Sequence, residues 1–289
     1  MQKVALITGC SSGIGKSTAL SLARDGIYTF ASMRDTSKGG QLSEIVKKEG
    51  LPLEIIELDV TDSHTIDNVF QKILEKKGRL DILVNNAGFM IMGSFEDVDI
   101  ERFDLQWKTD FLGPVTLMKK AIPIMRKQEP DEKGIRGNII NVSSIAGKIP
   151  FAYASAYIAS KFALEGLSET VSDEVTDKGI KINIIEPGVV KTKFLENTKT
   201  IIKENSPYSE IISKWEVIAK KLFDVTQNLP NDVANAILQC IKDSSSKLRV
   251  QVGEDAKLFL EMHAQYVDEP QEFKKWVAEE INKVFESVK

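Results

Sequence analysis

The segment VALITGCSSGIG, residues 4–15, combines a short aliphatic run, a glycine-rich turn and the start of a helical pattern. Glycines at such a turn let the backbone approach a pyrophosphate, which binds at the N-terminus of the following helix. A glycine-rich turn alone is a weak indication, because any sharp β–α turn can use glycine. This turn follows the first strand and begins a continuing β–α pattern, so it predicts nucleotide binding.

The same alternation continues along the chain. Seven short runs, most of them β-branched or aliphatic throughout, are typical of strands covered on both faces; they are residues 4–8, 28–32, 54–58, 82–85, 138–142, 181–186 and 249–252. Helical patterns lie between them, near 13–25, 39–49, 62–77, 100–127, 155–178 and 231–243. The alternation predicts a single Rossmann-like α/β domain with a doubly wound parallel sheet of about seven strands and helices on both faces.

Two regions depart from this alternation. Residues 193–230 form a long, irregular connection rich in isoleucine, and a connection of that length is often a lid over a site. Residues 256–289 have a helical pattern and are expected to pack on the body or on a partner subunit. The domain, residues 1–289, is therefore expected to comprise a cofactor-binding and catalytic core (1–192), a substrate lid (193–230), and a final part (231–289) with the last helix, the last strand and a helical tail.

Composition limits the classes of function. The chain has 289 residues, a hydrophobic share of 42% that is ample for a core, and a net charge of −4 that argues against a nucleic-acid partner. It lacks an apolar run long enough to span a bilayer and the features of a signal peptide. Cys10 and Cys240 indicate a reducing compartment, and His64 and His263 lack partners at metal-ligand spacing. We expect a soluble cytoplasmic protein without a metal and without integral membrane association.

A second signal is the stretch YIASK, residues 157–161. Positions i and i+4 lie on one face of a helix, so the phenol of Tyr157 and the ammonium of Lys161 can meet. An ammonium beside a phenol lowers the phenol's pKa, which makes Tyr157 a usable acid and base. A Tyr-x-x-x-Lys match is common by chance, and on its own the pentapeptide is better explained as a surface pair.

Together, the motifs resemble the short-chain dehydrogenase/reductase family. The spacing G-x-x-x-G-x-G, the segments NNAG (85–88), NVSS (141–144) and PGVVKT (187–192), and the Tyr157–Lys161 pair occur in that family's order, with Ser144 thirteen residues before the tyrosine. TGCSSGIG and YIASKFALEGLSE look most like the 17β-hydroxysteroid and retinol dehydrogenase branch. The resemblance implies an oxidoreductase that interconverts an alcohol and a ketone or aldehyde with a nicotinamide cofactor.

The resemblance also implies a role for each motif. Ser144 would hydrogen-bond the reacting oxygen, Tyr157 would donate or accept its proton, and Lys161 would lower the pKa of the tyrosine and bind the nicotinamide ribose. The other residues expected at the cofactor are Gly9, Ser11, Ser12, Gly13, Ile14 and Gly15 at the phosphates, Asp59 and Val60 at the adenine, Asn86, Ala87 and Gly88 on the adenosine side, and Pro187, Gly188, Val189 and Thr192 at the nicotinamide.

One position departs from the family pattern. Asp110, in WKTDFLGPV, stands where the family has an asparagine thought to bind a water in a proton relay ending at the lysine. An ionised carboxylate only accepts hydrogen bonds, whereas an amide both donates and accepts them. Asp110 could hold a water from Lys161, or it could pair with Lys161 and leave the pKa of Tyr157 higher. We expect activity with a shifted pH profile; the alternatives are a silenced site, or an aspartate that points elsewhere.

The choice between nicotinamide cofactors depends on the segment FASMRDTS, residues 30–37, after the second strand. An acid there would bind the ribose 2′-hydroxyl of NAD, whereas an arginine would favour the 2′-phosphate of NADP. Strand alternation places Arg34 nearer the cofactor than Asp35, and Ser12 and Ser32 could add donors to a phosphate. We therefore expect NADP(H), and Asp35 keeps NAD(H) possible.

The substrate is indicated only by apolar segments near the expected site, GFMIMGSF (88–95) and KIPFAY (148–153). Met90, Phe151, Tyr153 and Phe194, together with Ser144, are expected to line a pocket for a lipophilic alcohol or ketone. Methionine and aromatic residues at such places are equally often plain core, so the substrate's identity stays open.

The sequence therefore predicts an oxidoreductase that acts on CH–OH groups with NADP preferred over NAD. One alternative is a catalytically silenced sensor or scaffold that binds the cofactor without turnover, which Asp110 keeps open. Another is a nucleotide-dependent enzyme of a different reaction type, in which Tyr157 and Lys161 would have no task. By analogy with the family, we expect a homodimer or homotetramer with the helices near 100–127 and 155–178 at the interface.

Overall fold

Seven parallel strands form the central sheet of the computed structural model, which describes residues 1–287. They are β1 (Val4–Ile7), β2 (Tyr28–Met33), β3 (Leu53–Glu57), β4 (Ile82–Asn85), β6 (Gly137–Val142), β7 (Ile180–Pro187) and β9 (Arg249–Val252). Their spatial order is β3-β2-β1-β4-β6-β7-β9, and β5 (Ile91–Gly93) pairs with β8 (Lys199–Ile201) in a separate small sheet. All seven predicted strands are present, each within one residue of its predicted ends.

The helices lie where the sequence predicts them, with three differences. They are α1 (Gly13–Arg24), α2 (Gly40–Glu49), α3 (Ser63–Lys77), α4 (Ile100–Trp107), α5 (Gly113–Arg126), α6 (Ser155–Val175), α7 (Ser209–Val225), α8 (Pro230–Lys242), α9 (Glu254–Gln265) and α10 (Pro270–Ser287). A π-helical turn, Lys108–Leu112, interrupts the helix expected over 100–127. The segment 193–230, expected to be irregular, contains β8 and α7, and the predicted helical tail is two helices, with residues 288–289 outside the described chain.

Alternate residues of the central strands pack against opposite layers of helices. Ile7 of β1 belongs to a core cluster with residues of α1 and α8, whereas its neighbour Leu6 belongs to a cluster with residues of α3 and α5. Both side chains are fully buried. This two-sided burial explains the nearly continuous aliphatic strands and confirms the predicted doubly wound fold.

The sheet brings the predicted motifs to one edge. Because parallel strands end on the same side, the turns after β1, β4, β6 and β7 lie next to each other. The chain reverses its winding between β1 and β4, which are adjacent strands, and ligands of such folds bind in the crevice at this point. Over residues 1–287, no helix combines the length and the apolar character needed to cross a membrane.

Candidate active site

The glycine-rich turn after β1 packs closely against the turn after β4. Gly9 has a φ of +74°, and a Cβ there would lie 2.9 Å from the Cα of Ala87. A Cβ on Gly15 would lie 2.5 Å from Nδ2 of Asn86. Only glycine therefore permits this approach, which sets the half-buried first turn of α1 at the sheet edge, in the arrangement that suits a pyrophosphate.

Hydrogen bonds fix the same two turns to each other. Oγ1 of Thr8 accepts from the backbone N–H groups of Asn86 and Ala87 at 3.0 and 2.9 Å. Nδ2 of Asn86 donates back to the carbonyl of Thr8 at 2.8 Å. Ser11 is exposed and Ser12, Gly13 and Ile14 are half-buried, so all four remain accessible from the crevice. The residues of the two motifs thus form one preorganised surface.

The expected adenosine end of the crevice is bordered by the turns after β2 and β3. Arg34 is exposed. Oδ1 of Asp35 accepts from the N–H and hydroxyl of Ser37 at 3.0 and 2.6 Å, and these bonds lower the pKa of Asp35. The buried Ser32 hydroxyl donates to the carbonyl of Ile7 at 3.0 Å, so it is already used and is not the phosphate donor expected from the sequence.

The turn after β3 holds the residues expected at the adenine. Oδ1 of Asp59 accepts from the N–H and hydroxyl of Thr61 at 2.9 and 2.7 Å, which fixes the turn. The adjacent Val60 is buried, and a Cβ on Gly113 would lie 2.9 Å from the Cβ of Val60. The turn is therefore rigid before any ligand contacts it.

Ser144, Tyr157 and Lys161 lie together at the end of β6. The hydroxyl of Ser144 hydrogen-bonds the Tyr157 phenol and also accepts from the N–H of Ala146 at 3.1 Å. Nζ of Lys161 lies 5.7 Å from the centre of the Tyr157 ring and donates to the carbonyl of Val142 at 3.1 Å. Tyr157 and Lys161 are 6% and 5% exposed and Ser144 is half-buried, so the phenol and the ammonium are buried behind a partly accessible serine.

Asp110 joins this group from the π-helical turn. Its Oδ2 lies 3.6 Å from Nζ of Lys161, and its Oδ1 accepts from the N–H of Phe89 at 3.4 Å. Burial raises the pKa of Asp110 to about 6, and the nearby Lys161 opposes that rise. A Cβ on Gly88 would lie 3.0 Å from Oδ2, so the carboxylate also borders the turn after β4.

The pKa of the Tyr157 phenol is higher than that of an ordinary tyrosine side chain. Burial raises the pKa of Tyr157 first, the Asp110 carboxylate raises it further, and the hydrogen bond from Ser144 opposes both effects. The sequence predicted that Lys161 lowers this pKa; in the structure the pKa is raised, and the group that opposes the rise is Ser144.

Apolar side chains surround the phenol. Met90, Met92, Ala146 and Ala154 are buried with Tyr157 in one cluster, and Ile158, Phe194, Leu195 and Trp215 pack against it. The ring centres of Phe194 and Tyr157 are 5.8 Å apart. Of these residues, the sequence predicted Met90 and Phe194 for the pocket. It did not identify the other six, namely Met92, Ala146, Ala154, Ile158, Leu195 and Trp215, although Met92 lies in the apolar segment 88–95.

Two other predicted pocket residues lie at the periphery of this cluster. Tyr153 has a φ of +65°, and its ring centre lies 6.5 Å from that of Tyr208 in the segment 193–230. The carbonyl of Tyr153 accepts from the N–H of Gly93 at 2.8 Å. Phe151 is 39% exposed and is not a member of the buried cluster. The structure therefore groups Met90 and Phe194 with the phenol more closely than these two residues.

The turn after β7 completes the crevice. Thr192 reaches across to the glycine-rich turn, because a Cβ on Gly13 would lie 3.2 Å from the Thr192 side chain. Earlier in the same turn, Val189 is held by Asn228 and Asp255, which sequence reasoning missed. A glycine and two acids after the last strand, GED at 253–255, were the only local signal.

A family model described as short chain dehydrogenase matches residues 3–202. The chain belongs to the short-chain dehydrogenase family. This confirms the family inferred from the motifs, and the relatives include a retinol dehydrogenase. Retinol dehydrogenase 8 of Bos taurus is 31% identical, over 86% of this chain and 80% of that protein. The 3-ketodihydrosphingosine reductase of Bacteroides thetaiotaomicron is 32% identical, over 87% of this chain and 88% of that protein.

Solved structures of other short-chain dehydrogenases share the fold. A short-chain dehydrogenase from Streptomyces avermitilis is 33% identical with a TM-score of 0.81, covering 98% of this chain and 97% of that one. A metagenomic short-chain oxidoreductase, solved in complex with NADP, is 26% identical with a TM-score of 0.68, covering 86% of this chain and 96% of that one. The prediction of a short-chain oxidoreductase is confirmed at this level.

Proposed function

We propose that this short-chain dehydrogenase interconverts a lipophilic alcohol and its ketone or aldehyde with NADP(H) preferred, using Tyr157 as the acid and base. The observation that carries the proposal is the Ser144–Tyr157 hydrogen bond beside Lys161, inside an apolar cluster at the edge that also holds the glycine-rich turn. A buried phenol with a hydroxyl partner and a neighbouring ammonium is suited to proton transfer at an oxygen atom.

Each residue of the group has a distinct task in this proposal. A nicotinamide bound along the crevice would supply or accept the hydride. Ser144 donates a hydrogen bond to the reacting oxygen, and Tyr157 gives that oxygen a proton in reduction or takes one in oxidation. Lys161, oriented by the carbonyl of Val142, places a positive charge beside the phenol and the ribose position. The apolar side chains exclude water from the group.

The proposed preference for NADP(H) rests on the turn after β2. Arg34 is exposed at the expected position of the ribose 2′ group, whereas the carboxylate of Asp35 is engaged with Ser37. The relative solved with NADP is consistent with this choice. Arg34→Ala is expected to raise KM for NADPH by about tenfold or more, since a hydrogen bond to a charged group contributes about 1.5–3 kcal/mol. KM for NADH should change little, and Lys38→Ala, an exposed cation in the same turn, is the matched control.

The proposed lipophilic substrate rests on the cluster around Tyr157. The apolar side chains that pack around the phenol are those of methionine, alanine, isoleucine, phenylalanine, leucine and tryptophan residues. The two curated relatives carry the names of a retinoid and a long-chain base, both lipophilic molecules with a reacting oxygen. A lipophilic ketone or aldehyde is therefore the class to test first.

The test is oxidation of NADPH and NADH with a panel of lipophilic ketones and aldehydes, for the wild type and Tyr157→Phe. We expect turnover that is faster with NADPH and falls by about 10²–10⁴-fold in the variant, the range for general acid catalysis. Equal rates in both proteins would overturn the assignment of Tyr157. The silenced sensor would be favoured by a different pair of results. The wild type and Tyr157→Phe would both bind the cofactor without turnover, and Asp110→Asn would recover activity.

The segment 193–230 is proposed to be the substrate lid of the domain, between a core at 1–192 and the remainder at 231–289. It pairs with β5 through β8, and the hydroxyl of Ser206 donates to Asp97 at 2.6 Å. It also supplies Phe194, Leu195 and Trp215 to the cluster at the phenol. These contacts support the proposal of a lid whose apolar face covers the substrate.

A cytoplasmic homodimer or homotetramer is the corresponding proposal for the assembly. The helices expected at the interface expose apolar side chains, namely Leu105, Leu112 and Phe162 at 37, 40 and 41%. Size-exclusion chromatography with light scattering tests it: a monomer at micromolar concentration would exclude this assembly.

A further inference from the structure

Two side chains outside the recognised motifs hold the turn after β7. Asp255 lies in the first turn of α9, and Asn228 lies between α7 and α8. Oδ2 of Asp255 accepts from the backbone N–H of Val189 at 2.8 Å. Its Oδ1 accepts from Nδ2 of Asn228 at 2.7 Å. One carboxylate therefore connects the C-terminal helices with the turn PGV at 187–189.

The carbonyl of Val189 is held from the other side. It accepts from Nδ2 of Asn228 at 2.9 Å and from Oγ1 of Thr226 at 2.8 Å. A carbonyl oxygen has two lone pairs and a backbone amide has one N–H, so all the polar capacity of Val189 is used within the protein. This residue meets a cofactor only through its side chain, and its backbone position is fixed by three neighbouring groups.

Two glycines make room for the carboxylate. A Cβ on Gly188 would overlap the Asp255 carboxylate, and a Cβ on Gly253 would overlap both Oδ1 of Asp255 and the amide of Asn228. Gly253 also has a φ of +107°, which L side chains rarely adopt. Gly188 is thus required by the approach of Asp255, a reason independent of any cofactor contact.

We propose that Asp255, with Asn228, is a positioning residue that fixes the Val189 peptide and thereby the turn that carries the nicotinamide. This inference rests on the proposed function, since it assigns a purpose to the turn only if a nicotinamide binds there. A carboxylate that accepts from backbone N–H forms a stronger bond than a neutral acceptor, so its loss frees the turn. Thr226 and Asn228 end the segment 193–230, so the proposed lid is anchored on the same peptide.

The test compares Asp255→Ala and Asp255→Asn with Glu254→Ala, which removes the same charge from the adjacent, exposed position. Dissociation constants are measured by titration calorimetry for NADPH and for adenosine 2′,5′-bisphosphate, which lacks the nicotinamide half, with NADH and ADP as a parallel pair. Asp255→Ala is expected to weaken binding of the intact dinucleotide by about tenfold, the typical effect of losing a charge-assisted hydrogen bond. Affinity for the nicotinamide-free fragment should stay within about twofold.

Asp255→Asn is expected to be intermediate, because its amide oxygen can still accept from Val189 while its NH₂ group faces the NH₂ of Asn228. Glu254→Ala should bind both ligands as the wild type does. Equal weakening of dinucleotide and fragment would overturn the inference, because it would indicate general loss of structure. Unchanged affinity in both Asp255 variants would also overturn it.

Failure of the proposed function gives a different result. If the wild type binds neither NADPH nor NADH, the proposed function and this inference fail together. If the wild type binds a dinucleotide and only the effect of Asp255 is absent, the proposed function stands and the positioning role does not. If Asp255→Ala does not fold, Asp255→Asn alone decides, through the same ratio of dinucleotide to fragment affinity.

Discussion

The carboxylate of Asp110 lies 3.6 Å from the ammonium of Lys161, and both side chains are buried beside the Tyr157 phenol. Within residues 1–287, Oδ2 of Asp110 has no hydrogen-bond partner, so the lysine is its main electrostatic neighbour. The carboxylate raises the pKa of Tyr157. Of the two roles that the sequence allowed for Asp110 at this site, the structure shows the pairing with Lys161, and burial and this carboxylate both raise the pKa of Tyr157.

Asp110→Asn should therefore shift the pH dependence of alcohol oxidation. Oxidation needs Tyr157 as the phenolate, and removal of the neighbouring negative charge lowers its pKa. We expect the rise of kcat/KM with pH to move to lower pH by on the order of one unit. The profile is measured from pH 6 to 10, with Asp104→Asn, an exposed acid on α4, as the control. A profile that stays in place or moves to higher pH would show that Asp110 does not control the phenol.

The same carboxyl should make stability depend on pH. Burial raises the pKa of Asp110 from 3.8 to about 6, so the folded chain keeps a proton that the unfolded chain releases between these values. The stability that this proton contributes is present below about pH 4 and is lost as the pH rises through 6. As the pH rises from 4 to 7, the free energy of unfolding of the wild type, relative to that of Asp110→Asn, should fall by up to about 3 kcal/mol. This corresponds to about 1.4 kcal/mol per unit of pKa shift. Urea titrations at pH 4, 5, 6 and 7 measure this, and a difference that grows with pH would contradict it.

The adjacent serines at the end of β6 should differ in their effect on catalysis. The hydroxyl of Ser144 hydrogen-bonds Tyr157, whereas that of Ser143 is buried without a hydrogen-bond partner in the described chain. Ser144→Ala is expected to lower kcat by about 10²–10³-fold, as for loss of a donor to the reacting oxygen. Ser143→Ala should change kcat by less than about threefold, since no reacting atom depends on that hydroxyl. Steady-state kinetics of both variants measure this difference. Equal losses of kcat in the two variants would refute the distinct role of Ser144.

Much of the fold could be predicted because its signals are local in the sequence. Strands covered on both faces are aliphatic at most positions, as in ILVN (82–85) and NIINV (138–142), and the glycine-rich turn requires its glycines for steric reasons. The i and i+4 spacing of Tyr157 and Lys161 fixes their common face before any tertiary contact is known. These signals do not depend on which distant segment packs nearby.

The rest depends on contacts between distant segments. The rise in the pKa of Tyr157 depends on burial by distant segments and on Asp110, which lies beside Lys161, 51 positions later in the chain. Asp255 reaches Val189 across 66 residues, with no pattern in either segment to connect them. Helix α7 was missed because two short stretches without helical pattern, around β8 and after Val225, made 193–230 resemble one irregular connection.

The glycine-rich turn offers a matched pair of substitutions. A Cβ on Gly15 would overlap the Gly9 carbonyl and approach Asn86, whereas a Cβ on Gly40, at the start of α2, would meet nothing within 4 Å. Gly15→Ala should therefore lower NADPH affinity by about tenfold or more and destabilise the chain by about 1–3 kcal/mol, the typical cost of overpacking. Gly40→Ala, at a φ of −52°, should stabilise it by about 0.4–1 kcal/mol through the unfolded state. Calorimetric titration measures the NADPH affinity of both variants, and thermal unfolding measures their stability. If Gly15→Ala changes neither quantity, the close packing of the turn is contradicted.

Trp215 should set the preference for long apolar substrates. It extends from α7 to the cluster around Tyr157, where it packs beside Phe194 and Leu195. Each CH₂ buried there contributes about 0.8 kcal/mol, so kcat/KM for a series of methyl ketones should rise by up to about fourfold per CH₂. Trp215→Ala should flatten this rise while leaving kcat for the shortest ketone within about threefold, because the apolar wall is lost and the reacting group is not. Trp276→Ala, which removes a ring of α10 that packs against Phe259 of α9 and Phe273 of the same helix, is the control and should keep the wild-type slope. If kcat/KM of the wild type does not depend on the chain length of the ketone, the lipophilic pocket is excluded. If Trp215→Ala keeps the wild-type slope, the apolar chain of the substrate lies on the side of Met90 and Met92, away from α7.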